Sequence, residues 1–100
     1  MTTHPMKLVT IVCEALAREP LKALLNEVGA HGYTLFTVEG SGARGHRAAD
    51  IEEFANIQVE VIVPSTVAGQ LLARLEKDFF PRFGTIAYES DVSVLRPGKF

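Results

Sequence analysis

Two short stretches of this sequence carry residue types suited to holding an anion. The first, Gly40-Ser-Gly-Ala-Arg-Gly-His-Arg47, interleaves glycines with a hydroxyl and two arginines. Glycines let the backbone curl so that successive amide N–H groups face one point, and Ser41 adds a hydroxyl donor. Arg44 and Arg47 supply planar guanidinium forks that match phosphate oxygens. The second stretch, Phe83-Gly-Thr-Ile-Ala-Tyr88, offers another glycine amide with a threonine hydroxyl beside it. Glycine and arginine together in one surface loop are as often a solvated turn, so the pairing of the two stretches carries the argument. Other reactive side chains have blander readings. Cys13 ends an apolar run with no histidine at catalytic spacing, which reads as a buried structural thiol. His4, His31 and His46 are scattered and give no built-in metal site. Glu14, Glu19 and Glu27 read as solvated charges, and no nucleophile–base pair or acid–base dyad can be assembled, so no catalytic residue is assigned.

The elements that must position these stretches follow from periodicity. Lys7–Cys13 is short, β-branched and almost wholly apolar, as a strand covered on both faces would be. Arg18–Gly29 reads as a helix: Pro20 suits its first turn, Leu21, Leu24, Leu25 and Val28 form one stripe, and Gly29 can close it. Tyr33–Glu39 is a second strand. From Gly40 to about Ala55 no period is sustained, and the segment reads as a loop. In Asn56–Val63, Ile57, Val59, Val61 and Val63 share one face, with Gln58, Glu60 and Ile62 on the other. Pro64 ends that strand and Ser65 is placed to cap a helix whose buried stripe is Val67, Leu71, Leu75 and Phe79, with Leu72 beside it. After Pro81 and Gly84, Thr85–Tyr88 and Val92–Leu95 read as one last strand, interrupted near Glu89-Ser-Asp91. The order β-α-β-β-α-β is the ferredoxin-like α+β sandwich, both helices on one sheet face, as a single domain over residues 1–100.

Composition agrees with that frame. One hundred residues, 47% of them hydrophobic, suffice for one compact core with a thin stability margin that self-association would widen. A net charge of −2, from 10 basic and 12 acidic residues, argues against a general nucleic-acid binder. A lone cysteine forms no internal disulfide, no apolar run reaches the roughly 18 residues of a membrane span, and the start of the chain lacks signal-peptide character. The expected location is the cytoplasm. The connection between the second and third strands spends about fifteen residues where adjacent antiparallel strands need two to five, and loops of that length are usually functional. Its second half, Asp50-Ile-Glu-Glu-Phe54, is acidic with two large apolar residues; Ile51 and Phe54 suit a docking tip or packing back onto the domain equally well.

With these residues in view, Leu21 to Arg47, read as Leu-Lys-x-x-Leu-x-x-x-Gly-x-x-Gly-Tyr-Thr-x-x-x-Val-x-Gly-x-Gly-x-x-Gly, resembles the first helix, second strand and T-loop base of PII signalling proteins. Phe83-Gly-Thr-Ile86 resembles their B-loop, which sets the T-loop at approximately 40–55 and the B-loop at approximately 80–86. The resemblance implies a homotrimer with an adenine nucleotide in each cleft between subunits. Thr34 then corresponds to the threonine near the adenine. Gly40, Ser41, Gly42, Ala43, Arg44 and Arg47 correspond to the segment that wraps the phosphates, and Phe83, Gly84, Thr85 and Ile86 to the B-loop. Arg96 matches only loosely the arginines that end the last PII strand. Arg47, Asp50, Ile51 and Phe54 are the implied partner contacts.

Two departures refine the resemblance. No tyrosine occurs between Gly40 and Asn56, and Thr85 stands where the B-loop usually has a lysine, which argues against a sensor of 2-oxoglutarate and Mg-ATP. Gly42-Ala-Arg-Gly-His-Arg47, Gly29-Ala-His-Gly-Tyr-Thr34 and Asp50-Ile-Glu-x-x-x-Ala-Asn-Ile57 are most similar to the PII-like SbtB proteins of cyanobacteria, although the cysteine pair many of them carry is missing. That resemblance implies AMP, cyclic AMP, ADP or ATP as ligand, with a divalent cation accompanying ATP, no covalent cofactor and no resident metal. It implies the sodium-dependent bicarbonate transporter SbtA as partner, hence peripheral membrane association, and a regulator instead of an enzyme, with slow ATP or ADP hydrolysis left open. The alternatives are a carboxysome-associated PII-like sensor of nucleotide and bicarbonate, and a structural or metal-tolerance trimer of similar fold. Each arginine–phosphate hydrogen bond contributes about 1.5–3 kcal/mol, and each ordered loop residue costs about 1–2 kcal/mol, so the loop is expected to be mobile when empty and partly ordered by ligand.

Overall fold

The computed structural model describes residues 2–39, 41–42, 45–46 and 56–100, with 41–42 and 45–46 described only as paired backbone. Strand β1 (His4–Glu14) leads through a 3-10 turn (Ala15–Ala17) into helix α1 (Arg18–Glu27), then β2 (Tyr33–Val38). Two-residue strands β3 (Ser41–Gly42) and β4 (Gly45–His46) follow, then β5 (Asn56–Val63), α2 (Ser65–Arg74) with a π-helical turn (Leu75–Phe79), β6 (Thr85–Val94), and a 3-10 turn (Pro97–Lys99). The four long strands form an antiparallel sheet in the order β2-β5-β1-β6. This is the ferredoxin-like α+β arrangement expected from the order of elements.

Alternation decides which side of the sheet is buried. Val9, Ile11 and Cys13 of β1 stand beside Val61, Val59 and Ile57 of β5, and all six are buried with Leu21, Leu24 and Leu25 of α1 and Ala68, Leu71, Leu75 and Phe79 of the α2 arm. Helix α1 ends as its sequence implies. Gly29 adopts φ +85°, the Gly29 N–H donates to the Asn26 carbonyl at 3.2 Å, and the Ala30 N–H to the Leu25 carbonyl at 2.8 Å. A left-handed glycine lets the chain reverse while these late carbonyls stay paired.

Four local readings need correction. Ser65 is the first helical residue and not the cap; extended Pro64 takes the cap position, and its carbonyl accepts the Ala68 N–H at 3.0 Å. The fully buried stripe of α2 starts at Ala68, one position beyond Val67, because that phase lines up with Leu71 and Leu75. Strand β6 runs unbroken through Glu89, Ser90 and Asp91, since β1 extends back to His4 and supplies partners along the whole length. Lys7 faces Asp91 in that register, bonds its carboxylate, and lies 3.9 Å from Glu89, so the acidic stretch has a cation across from it on β1. Within the segment read as a loop, Ser41 pairs with His46 and Gly42 with Gly45.

Candidate functional site

The π-helical turn begins the construction of the site. The Phe80 N–H reaches back five residues to the Leu75 carbonyl at 3.0 Å, which keeps both Leu75 and Phe79 in the core as the helix ends. The Phe79 carbonyl then accepts the N–H groups of Arg82 at 3.0 Å and Phe83 at 2.8 Å. The Phe79 and Phe83 rings meet at 5.5 Å between centroids, tilted by 48°, and the Arg82 guanidinium lies 4.9 Å over the Phe83 ring. Gly84 is thereby presented at a fixed place beside the end of β1. Its N–H donates to Glu14 Oε1 at 2.7 Å, and Thr85 Oγ1 donates to the Phe83 carbonyl at 3.2 Å.

Register shows what lies around that turn. Val38 faces Asn56, Asn56 faces Glu14, and Cys13 faces Thr85, so Val38, Asn56, Glu14 and Gly84 line one end of the sheet. The segment between β2 and β5 therefore starts and finishes at the same end as the Gly84 turn. The strand register thus brings that turn beside both ends of the chain's own connection between β2 and β5. Gly40, Ala43, Arg44, Arg47, Asp50, Ile51 and Phe54 lie outside the described residues, as does the expected ordering of the loop, and Ser41 and Gly42 are described only through their pairing.

Thr34 lies elsewhere. It is exposed on β2, opposite Glu60, in a row that continues through Thr10 to Tyr88 on the sheet face away from the helices. Four residues along a strand is about 13 Å and the three strand spacings from β2 to β6 are about 14 Å, so Thr34 and Gly84 of one chain do not meet. Thr34 instead borders a hollow of about 200 Å³ with Glu60, Ile62, Lys99 and Phe100. Arg96, exposed, caps the 3-10 turn that brings Lys99 there, its carbonyl accepting the Lys99 N–H at 3.0 Å.

Sequence reasoning missed Glu14, Glu60, Lys99 and Phe100. Glu14 is not the solvated charge it was read as: it is half-buried and holds the Gly84 amide. Glu27 is exposed, as a solvated charge would be, and takes a 2.9 Å bond from Arg74, whose Nε also bonds Asp78. The polar positions of β5 were visible as Gln58 and Glu60, but their neighbours depend on strand order. Cys13 is buried, and desolvation first and the nearby Glu14 charge second push its thiol up to about 11, away from any nucleophilic role near neutral pH. Among the described residues there is no cluster of three potential metal ligands, and no helix is long and apolar enough to cross a membrane.

Comparison with known proteins agrees with this architecture. Residues 6–99 match the family described as nitrogen regulatory protein P-II. A PII-like signalling protein from Thermus thermophilus is 42% identical, with a TM-score of 0.86 over 100% of this chain and 99% of that one. CPII, a nitrogen regulatory PII-like protein from Thiomonas intermedia solved with ADP, AMP and bicarbonate, is 29% identical, with a TM-score of 0.90 over 99% and 96% of the two chains. The apo form of CPII is similar as well, 27% identical with a TM-score of 0.75 over 93% and 95%. From its sheet order, its two-helix layer and a match over nearly its whole length, this chain belongs to the P-II family.

Proposed function

We propose that this protein is a nucleotide-responsive regulator that binds an adenine nucleotide between subunits of a homotrimer and passes the ligand's identity to a partner. The observation that carries the reading is the shared sheet end: the Gly84 turn lies there with Val38 and Asn56, the paired strand residues between which the chain runs through 39–55. Glycine amides, Ser41, Arg44 and Arg47 of that segment face the phosphates, together with Gly84 and Thr85. Thr34 of a neighbouring copy supplies the adenine side, which accounts for its distance from Gly84 within one chain. The open sheet face offers Phe36, Ile86 and Tyr88 for that association, with Ile86 60% and Tyr88 54% exposed in the single chain. CPII, bound to ADP and AMP, supports an adenine nucleotide as the ligand class.

The finer reading is that of an SbtB-type regulator that takes AMP, cyclic AMP, ADP or ATP, the last with a divalent cation, and docks on the bicarbonate transporter SbtA at the membrane surface. It rests on Gly42-Ala-Arg-Gly-His-Arg47 and on the residues 50–57 pattern, with Arg47, Asp50, Ile51 and Phe54 meeting the partner. A second reading, a carboxysome-associated sensor that takes bicarbonate itself, is favoured by the bicarbonate in CPII. Both readings put the protein in inorganic-carbon control.

Calorimetry with AMP, cyclic AMP, ADP and ATP tests the common core. Micromolar binding, about −8 kcal/mol, is expected, falling at least tenfold in Arg44→Ala and in Arg47→Ala. No binding by the native chain would leave a structural trimer as the better account. Bicarbonate titrated into the nucleotide-loaded protein, beside a pull-down from membranes with and without each nucleotide, separates the two readings.

A further inference from the structure

A groove of about 460 Å³ runs between the two helices, across the sheet from Phe36 and Tyr88. One wall is a stripe of α1, Pro20, Ala23, Leu24 and Glu27, which repeats at the helical spacing of three and four residues. Small side chains at Pro20 and Ala23 leave the gap. The other wall is Arg74 of α2, Lys77 and Asp78 of its π-helical turn, and Pro81 beyond them. Leu24 and Phe79 are buried in the core and form the apolar bottom.

The charges along this groove are unevenly matched. At one end the Arg74 guanidinium ties the walls together, Nη2 donating to Glu27 Oε2 and Nε to Asp78 Oδ2, both at 2.9 Å. Arg74 thus engages both acids of the lining. Lys77 is exposed and makes no ion pair among the described residues. Its helical neighbours three and four positions away are Ala73, Arg74, Phe80 and Pro81, none of them acidic. Arg82, at the far end, lies over the Phe83 ring; Glu14 bonds the Gly84 amide close by but does not line the groove. The groove is therefore bordered by three basic and two acidic side chains, in a chain whose net charge is −2.

A free cation at the rim of an apolar trough favours a molecule with an acidic head and an apolar body. Size decides what kind of molecule. The volume lies within the range of roughly 300–1,000 Å³ typical of small-ligand sites. Pro20 to Glu27 spans only about 10 Å of helix, far less than the surface of about 800 Å² that a stable protein partner covers on each side. From this geometry we infer that the groove between α1 and the α2 arm is a ligand site for a small amphipathic anion. The apolar body rests on Leu24, Phe79 and the two prolines, and the carboxylate or phosphate head meets Lys77, with Arg82 as the second cation. None of residues 40–55 takes part, and the trimer proposed above leaves the groove open, because it lies on the helix side of the sheet.

The test is NMR titration of the isotope-labelled native protein, at fixed ionic strength, with phenylpropionate, phenethyl phosphate and the neutral phenylpropanol. At least one of the two anions should bind with a Kd of about 1 mM, shifting the amides of Ala23, Leu24, Lys77 and Phe79, and the alcohol about fivefold more weakly or worse. The tighter anion identifies the head group as carboxylate or phosphate. Lys77→Glu, at an exposed position, should weaken that anion by about fivefold or more, while Lys77→Arg keeps it within about twofold of the native value. Ala23→Phe fills the groove with its charges in place; it should weaken anion and alcohol alike, and it serves as the readout if Lys77→Glu fails to fold. An alcohol bound as tightly as the anions, or anion binding unchanged by Lys77→Glu, overturns the inference. So does inorganic phosphate giving the same shifts at the same concentration, since the apolar wall then plays no part. Absence of binding by all three probes overturns it as well, and none of these outcomes bears on nucleotide binding.

Discussion

Along β1, Val9, Ile11 and Cys13 turn towards the helices, while Leu8, Thr10 and Val12 turn the other way. The first set is buried in a layer that is wholly apolar across β1 and β5 and closed by leucines and Phe79 from above. The second set shares its face with Gln58, Glu60 and Ile62 of β5, Thr34 and Phe36 of β2, and Ile86 and Tyr88 of β6. That face is neither a finished core nor a solvated surface: polar and large apolar side chains are interleaved, and Phe36, Ile86 and Tyr88 remain exposed. One face therefore carries the stability of the single chain, and the other is the face on which the proposed association with a second copy would fall. Substitutions on the two faces should fail in different ways, and that difference is measurable.

The largest effect is expected from the helix-side layer. Leu71 is fully buried, and Leu71→Ala should lower unfolding free energy by about 2–5 kcal/mol, read from the shift in the urea midpoint. A domain of this size has a total stability of about 5–15 kcal/mol, so the variant should be partly unfolded or close to it at 37 °C. A loss below about 1 kcal/mol would mean that the helices are not packed on the sheet as described.

On the open face the expected loss is in association, not folding. Tyr88 stands in the Thr34–Glu60–Thr10 row and is 54% exposed in the single chain. Tyr88→Glu places a charge there that water solvates in a lone chain but that an interface must bury. Sedimentation should find the native protein as a trimer and the variant as a folded monomer, with a circular dichroism spectrum like the native one. A variant that stays trimeric would move the interface to another surface. One that unfolds would show that this face belongs to the core after all.

How far the sequence could be read follows the same division. The helix-side layer was legible because its signal is local: Ile57, Val59, Val61 and Val63 alternate, and all four are buried. The α1 stripe and its Gly29 closure were legible for the same reason. The bond between Glu14 and Gly84 was not, because it joins residues 70 positions apart through a register that neither strand encodes alone. Lys99 and Phe100 were missed on the same grounds, since only the 3-10 turn after β6 brings them beside Thr34 and Glu60. The break wrongly read into β6 has a physical reason too. Glu89 and Asp91 look like a turn until Lys7 is known to stand across from them. Local periodicity exposes cores; sites assembled from strand ends need the topology.

The smallest effect sharpens the contrast at one residue. Cys13 is the last helix-side position of β1, and burial raises its thiol from an ordinary 9.0 to about 11. A thiol whose folded pKa is raised binds its proton more tightly when native. Its contribution to stability is complete below pH 9 and is lost as pH rises towards 11, because the unfolded chain then gives up the proton first. Urea midpoints between pH 8 and pH 11 should therefore fall more steeply for the native protein than for Cys13→Ala, in which the remaining tyrosines and lysines titrate alike. The same burial predicts that a thiol reagent at pH 8 labels the native protein only as fast as it opens, and labels the urea-unfolded chain at once. Parallel midpoints for the two proteins, or prompt labelling of the native state, would place Cys13 on an accessible surface and undo the division of β1 into one sealed and one open side.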